Sequence, residues 1–321
     1  MSTLSPRSKL SARDLGFLIF LTASVAVFWK PLKHLFTFSL TQDYATHIIL
    51  IVPVSAGLIY LKRSDVFSSV RTAPLPGSVL FLTGTILWYF AARYASWPSL
   101  DLELSLITLA IVLIWISGFI LFYGMHAFAM ARFPFLFLLL LVPLPQIALE
   151  KIIYFLQAGS AAVAYGLLRL LSVPVFKQEF ILRLPTLDIE VAKQCSGIRS
   201  SLALLITVLI AGDFVLRSGW RKTLLILSIV PILIVKNGIR IVAVSLLSIY
   251  VTRRFLHGWL HTSGGIVFYL LGLAILVPVV IILRKSEKRV KAVRDFNSSP
   301  AGTAAAGSTP ATSASSTTHL K

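Results

Sequence analysis

Thr262-Ser-Gly-Gly-Ile-Val-Phe-Tyr-Leu-Leu-Gly-Leu-Ala-Ile-Leu-Val-Pro-Val-Val-Ile-Ile-Leu283 contains no acid and no base from end to end. About 20 apolar residues in a helix cross the hydrocarbon core of a bilayer. This stretch therefore reads as a membrane span. A second apolar run, Thr223–Val235, resumes after Arg240. Across the 321 residues, 57% are hydrophobic, against roughly 45–50% in soluble domains. The fold class is all-α, a polytopic helical membrane protein.

The formal net charge is +18, and its placement excludes nucleic acid as the partner. Basic residues sit at the ends of apolar runs: Arg7, Lys9 and Arg13; Lys62, Arg63 and Arg71; Arg217, Arg221 and Lys222; Arg284, Lys285, Lys288 and Arg289. That is the positive-inside pattern, with anionic membrane lipid as counter-charge. No basic patch interleaved with aromatics accompanies it. The first apolar run, Leu15–Trp29, meets Lys30 and Pro31 without a small-residue cleavage pattern, so it is not read as a cleaved signal.

Nine segments are candidate spans: Leu15–Trp29, Tyr44–Leu61, Gly77–Tyr94, Leu104–Tyr123, Phe133–Ala148, Ile152–Leu171, Gly197–Phe214, Thr223–Tyr250 and Gly264–Leu283. The basic clusters put both termini in the cytoplasm, which demands an even number of spans. Eight are therefore expected, with Phe133–Ala148 or Ile152–Leu171 re-entrant or interfacial. Pro143 and Pro145 break the helix between these two. Val173–Val191 reads instead as short extended segments around Pro185. Extended backbone cannot face lipid, so this stretch is expected as an extracytoplasmic cap. Residues 1–14 form a basic cytoplasmic N-terminus, 15–284 the membrane domain, and 285–321 a basic and then low-complexity disordered tail.

Polar groups inside apolar helices are costly and mark candidate sites. Four places qualify: Tyr44 with His47, Cys195 with its following turn, Lys236-Asn237 with Arg240, and His257 with His261. The single Cys195 excludes an intrachain disulfide and directly precedes an apolar helix. A thiol there gains from the helix dipole and from nearby cations, although cysteine also serves as a small core hydrophobe. Arg240 lies about 27 Å of helical rise beyond Lys222, near the outer face, where it is either functional or snorkels to headgroups. Lys236 has the simpler reading of a snorkelling anchor. His261 is an acid–base candidate or a loop histidine, and His257 is its weaker rival. One cysteine without clustered acids leaves too few ligands for a closed zinc site. No metal and no cofactor is expected.

Three stretches resemble the signature blocks of the exosortase/archaeosortase family. They are Glu190-Val-Ala-Lys-Gln-Cys195-Ser196-Gly-Ile-Arg199-Ser200, Asn237-Gly-Ile-Arg240 and His261-Thr-Ser-Gly-Gly-Ile-Val-Phe268. Asp43-Tyr44-Ala-Thr-His47, Val142-Pro-Leu-Pro145 and Ile181-Leu-Arg-Leu-Pro185 add support, so the likeness runs from about Tyr44 to Leu283. Ile48 follows His47 where the family often has glycine.

The resemblance implies a cysteine protease or transpeptidase of the bacterial inner membrane, its active site facing outward. Its partners would be C-terminal sorting signals of exported proteins, of the Pro-Glu-Pro type, with exopolysaccharide or accessory proteins as separate partners. Cys195 would be the nucleophile, Arg240 the oxyanion donor and His261 the proton shuttle. Arg199, Asn237, Ser196, Glu190, Tyr44 and His47 would bind substrate or support the site. Two rival readings stand beside this one, the first using the same groups on another acyl donor and the second using only the membrane Arg and His to line a pathway. One is a cysteine-dependent acyltransferase or hydrolase acting on lipid or polysaccharide precursors, and the other is a transporter.

Overall fold

The computed structural model describes residues 11–93, 100–185, 187–191, 198–251 and 265–297. The apolar runs form helices α1 (Ala12–Val27), α2 (Trp29–Thr41), α3 (Ile48–Leu61), α4 (Arg63–Val66), α5 (Pro74–Arg93) and α6 (Leu100–Met130). These are followed by α7 (Arg132–Leu138), α8 (Gln146–Leu170), α9 (Ile198–Val215), α10 (Gly219–Tyr250) and α11 (Gly265–Asn297). Among the described residues, six helices are long and apolar enough to cross a membrane, or up to seven if α1 and α2, bent by 74°, make one span. The sequence led to an expectation of eight. Among the described residues, the apolar stretch of α9, Ser200–Val215, falls in the shorter class of apolar helices.

The chain divides into two units, Met1–Ala203 with Leu233–Tyr269, and Leu204–Ile232 with Leu270–Lys321. In the first, α6 is the most buried of the long helices. A side chain at Gly84 of α5 would stand 2.9 Å from Ile114 Cγ1 and 3.2 Å from the Ala110 carbonyl oxygen of α6. Small residues at such positions let two membrane helices approach closely. Polar groups add cross-links where hydrocarbon offers no water. The Trp115 indole donates to Ser24 Oγ at 2.7 Å, and Tyr123 donates to Asp14 at 2.9 Å. Near its end α6 kinks at Gly124, whose φ of +88° is natural only for glycine.

Pro143 and Pro145 end one helical segment and begin another. α7 closes with a 3-10 turn at Leu139–Leu141, and Pro145 caps α8. The extended stretch forms a three-stranded antiparallel sheet of β1 (Phe176–Gln178), β2 (Ile181–Leu184) and β3 (Leu187–Glu190). Phe176 pairs with Arg183, and Leu182 with Ile189. Leu182 and Leu184 face inward, joining Ala161, Ala164 and Leu168 of α8 and Ile241 and Val242 of α10 in one buried cluster.

In the second unit the expected headgroup-facing cluster has acidic partners of its own. The Lys222 ammonium donates to Asp213 at 2.8 Å. Glu287 accepts from the backbone N–H of Arg217 at 3.2 Å and of Ser218 at 2.6 Å, and lies 3.8 Å from the Arg221 guanidinium. A carboxylate just before Gly219 favours the positive end of α10.

Candidate functional site

α10 is apolar over most of its length, and its polar side chains reach three other helices. Lys236 donates from Nζ to Ser200 Oγ in the first turn of α9, at 2.8 Å. Asn237 donates from Nδ2 to Ser160 Oγ of α8, at 3.1 Å. The Arg240 guanidinium stands 5.7 Å from the Phe268 ring centroid on α11. Lys236 and Arg240, four apart, share a face. Lys236 and Asn237 are each only 1% exposed, so Lys236 is not a snorkelling anchor. A snorkelling lysine keeps its ammonium in water, whereas this one ends on a serine inside the protein.

Glycine makes the crossing of α8 and α10 close. A side chain at Gly238 would stand 2.6 Å from Val163 Cγ1, and one at Gly159 would stand 2.9 Å from Ile234 Cδ1. The bond between Asn237 and Ser160 lies at this crossing.

The segment leading to Cys195 is tied at Val191, four positions earlier. Its carbonyl accepts from the buried Gln157 of α8, and its N–H donates to the Phe180 carbonyl at 2.8 Å. Beside this anchor a cavity of about 590 Å³ is bordered by Glu150, Lys151, Tyr154, Gln157, Phe180 and Glu190, among others. Tyr154 and Phe180 meet edge to face at 5.4 Å. The cavity thus combines an aromatic wall, both signs of charge and an amide.

Cys195, Ser196 and His261, with the rival His257, lie outside the described residues. Arg199 belongs to the first turn of α9. Glu190 ends β3 and is exposed. Tyr44 and His47 sit at the entry to α3, where His47 Nδ1 is 3.0 Å from the Tyr44 carbonyl. Among the described residues, neither side chain bonds to α10. Asn237 and Arg240 are accompanied by Lys236, which reads from the sequence as only an anchor, and by two residues that sequence reasoning did not single out, Ser160 and Gln157. A signal was present in the spacing, since Gln157 and Ser160 are three apart on one face of α8.

These contacts draw the three sequence blocks towards one another. The first block ends at Ser200, which holds Lys236, the residue before the second block. The second block ends at Arg240, which faces Phe268, the last residue of the third. A guanidinium in apolar surroundings stabilises negative charge far better than one in water. No curated protein and no solved structure matches the chain. A family model described as transmembrane exosortase matches residues 38–278, and the chain belongs to that family.

Proposed function

We propose that the chain is a membrane-embedded cysteine endopeptidase and transpeptidase that cleaves C-terminal sorting signals of exported proteins at the outer face of the bacterial inner membrane. The observation that carries this reading is the contact of Arg240 with Phe268, which joins the second block to the third. The Lys236–Ser200 bond supports it by joining α10 to the first block.

The Cys195 thiolate attacks the scissile carbonyl carbon, and Arg240 donates to the oxyanion that forms. The C–N bond then breaks, and His261 gives its proton to the departing amine. The resulting thioester is attacked by water or another nucleophile, whose proton returns to His261 as the thiolate leaves. The substrate's apolar helix docks among the spans. The cavity beside Glu190 gives room for the extended residues next to the scissile bond.

The test is to trap the thioester. Full-length protein in membranes is incubated with a tagged sorting-signal substrate, quenched, and probed for a hydroxylamine-sensitive adduct. Wild type should carry the tag, and Cys195→Ala should neither carry it nor process substrate. Processing by Cys195→Ala at near the wild-type rate would end the thioester mechanism.

A further inference from the structure

We propose that Lys236 is a positioning residue for the chemistry of Cys195: its buried ammonium, held by Ser200 at the start of α9, favours the thiolate over the thiol. The inference rests on the reading of Cys195 as the nucleophile.

Burying an ammonium costs several kcal/mol unless the site compensates for it. Here the surroundings add to the cost. Arg240 is a like charge one turn further along the same helix. The first turn of α9, where Ser200 sits, is the positive end of a helix dipole. Among the described residues, the hydrogen-bond partner of Lys236 is neutral, Ser200 on α9, as is the bond beside it between Asn237 and Ser160 of α8. Among the described residues Lys236 makes no ion pair with a carboxylate. The Arg199 side chain, Cys195 and His261 lie outside them.

Two cations and a helix N-terminus collected in a low dielectric stabilise an anion placed among them. Cys195 stands five positions before Ser200 and three before the start of α9. It is the chain's single thiol. In the ionisation the S–H proton passes to solvent, and the resulting thiolate is balanced by a charge that is already present. A plain membrane anchor at position 236 would have no such effect, because its charge would lie in water.

The single cysteine makes the test direct. Purified full-length protein is alkylated with iodoacetamide over a range of pH, and the rate at Cys195 is followed by mass spectrometry. The thiolate carbon–sulfur bond forms as iodide leaves. Lys236→Met should move the midpoint of the rate profile upward by about one pH unit, a tenfold loss of labelling at neutral pH. Lys236→Arg should restore most of the wild-type profile. Ser200→Ala, which frees the ammonium to turn away, should fall between the two and serves as the second variant if Lys236→Met fails to insert. Midpoints of Lys236→Met, or in its place Ser200→Ala, that coincide with wild type would overturn the proposal, even if processing fell. Because the alkylation needs no substrate, it is independent of whether Cys195→Ala abolishes processing. Coincident midpoints with an inactive Cys195→Ala would remove Lys236 from the account and leave the proposed function standing.

Discussion

The Arg240 guanidinium stands 5.7 Å from the centre of the Phe268 ring, and Phe268 is itself buried. An aromatic face that holds the planar guanidinium contributes about 0.5–2 kcal/mol and sets the direction of its donors. Lysine keeps the charge but loses the fork. Arg240→Lys should therefore lower processing of a sorting-signal reporter by about 10²–10³, the usual loss for one oxyanion donor. Phe268→Leu keeps the apolar volume and loses the ring, so a milder loss of about 3–10-fold is expected. Processing by Arg240→Lys within a factor of about two of wild type would take Arg240 out of the oxyanion role.

The crossing of α8 and α10 makes a separate prediction about stability. A methyl group at Gly238 would stand 2.6 Å from Val163 Cγ1 and 2.8 Å from its Cβ, whereas one at Gly166 meets nothing within 4 Å. Valine is stiff about χ1 and cannot swing aside cheaply. Gly238→Ala should cost about 1–3 kcal/mol through overpacking. Gly166→Ala should be neutral or stabilising by up to about 1 kcal/mol, since alanine is the better helix former. Thermal unfolding of the two variants in detergent compares them directly, and equal melting temperatures would contradict the packing.

Gly124 should tolerate even less. Its φ is +88°, and a side chain there would lie 1.6 Å from the Arg71 carbonyl oxygen. Backbone strain alone costs about 1–3 kcal/mol, and the clash with backbone cannot be relieved by a rotamer change. Gly124→Ala is expected to reduce the yield of folded protein sharply, as judged by monodisperse recovery after detergent extraction. Wild-type recovery and melting temperature would show that the kink is dispensable.

Much of this architecture is legible in the sequence because its causes are local. Apolar runs become helices, Pro143 and Pro145 stop one and start the next, and the Val173–Val191 stretch is extended. What the sequence conceals is non-local. The bend between α1 and α2 at Phe28 is the exception, with a local cause in Pro31, which sits in the first turn of α2 and cannot bond back to Val27. By contrast, α6 kinks where Gly124 meets Arg71. α11 continues through the basic residues to Asn297 because lysine, arginine, glutamate and alanine are good helix formers as well as solvated ones. Lys236 reads as an anchor until Ser200, 36 positions earlier, is seen to hold it. Asn237 and Arg240 are visible through the spacing of polar groups in an apolar helix. Gln157 gains its meaning only when the sheet brings Val191 to it.

The sheet also gives an expectation for which of the two segments around Pro143 crosses the membrane. Its outer strands, β1 and β3, carry backbone groups that hydrocarbon cannot satisfy. Yet the sheet accompanies α8 from Tyr154, which meets Phe180, to Leu168 in the cluster with Leu182 and Leu184, about 21 Å of helix. A helix flanked by such a sheet over that length is expected at the interface, although α8 is long enough to span. It is also the least apolar of the six long helices. The residues before it behave in the opposite way. Phe135 meets Phe119 with tilted rings 4.7 Å apart, and the Pro143 carbonyl accepts from Ser105 at 2.8 Å. The chain from 135 to 143 thus runs back along α6 from Phe119 to Ser105, about 21 Å along its axis. Both ends of α8 should then face the outside. In a Cys195→Ala background, single cysteines at Gln146 and Ser172 should both react with a membrane-impermeant maleimide applied to spheroplasts. A cysteine at Ser64, beside the basic cluster, should react only after the membrane is opened. Labelling at one end of α8 but not the other would make α8 a span and return Phe133–Ala148 to the re-entrant role.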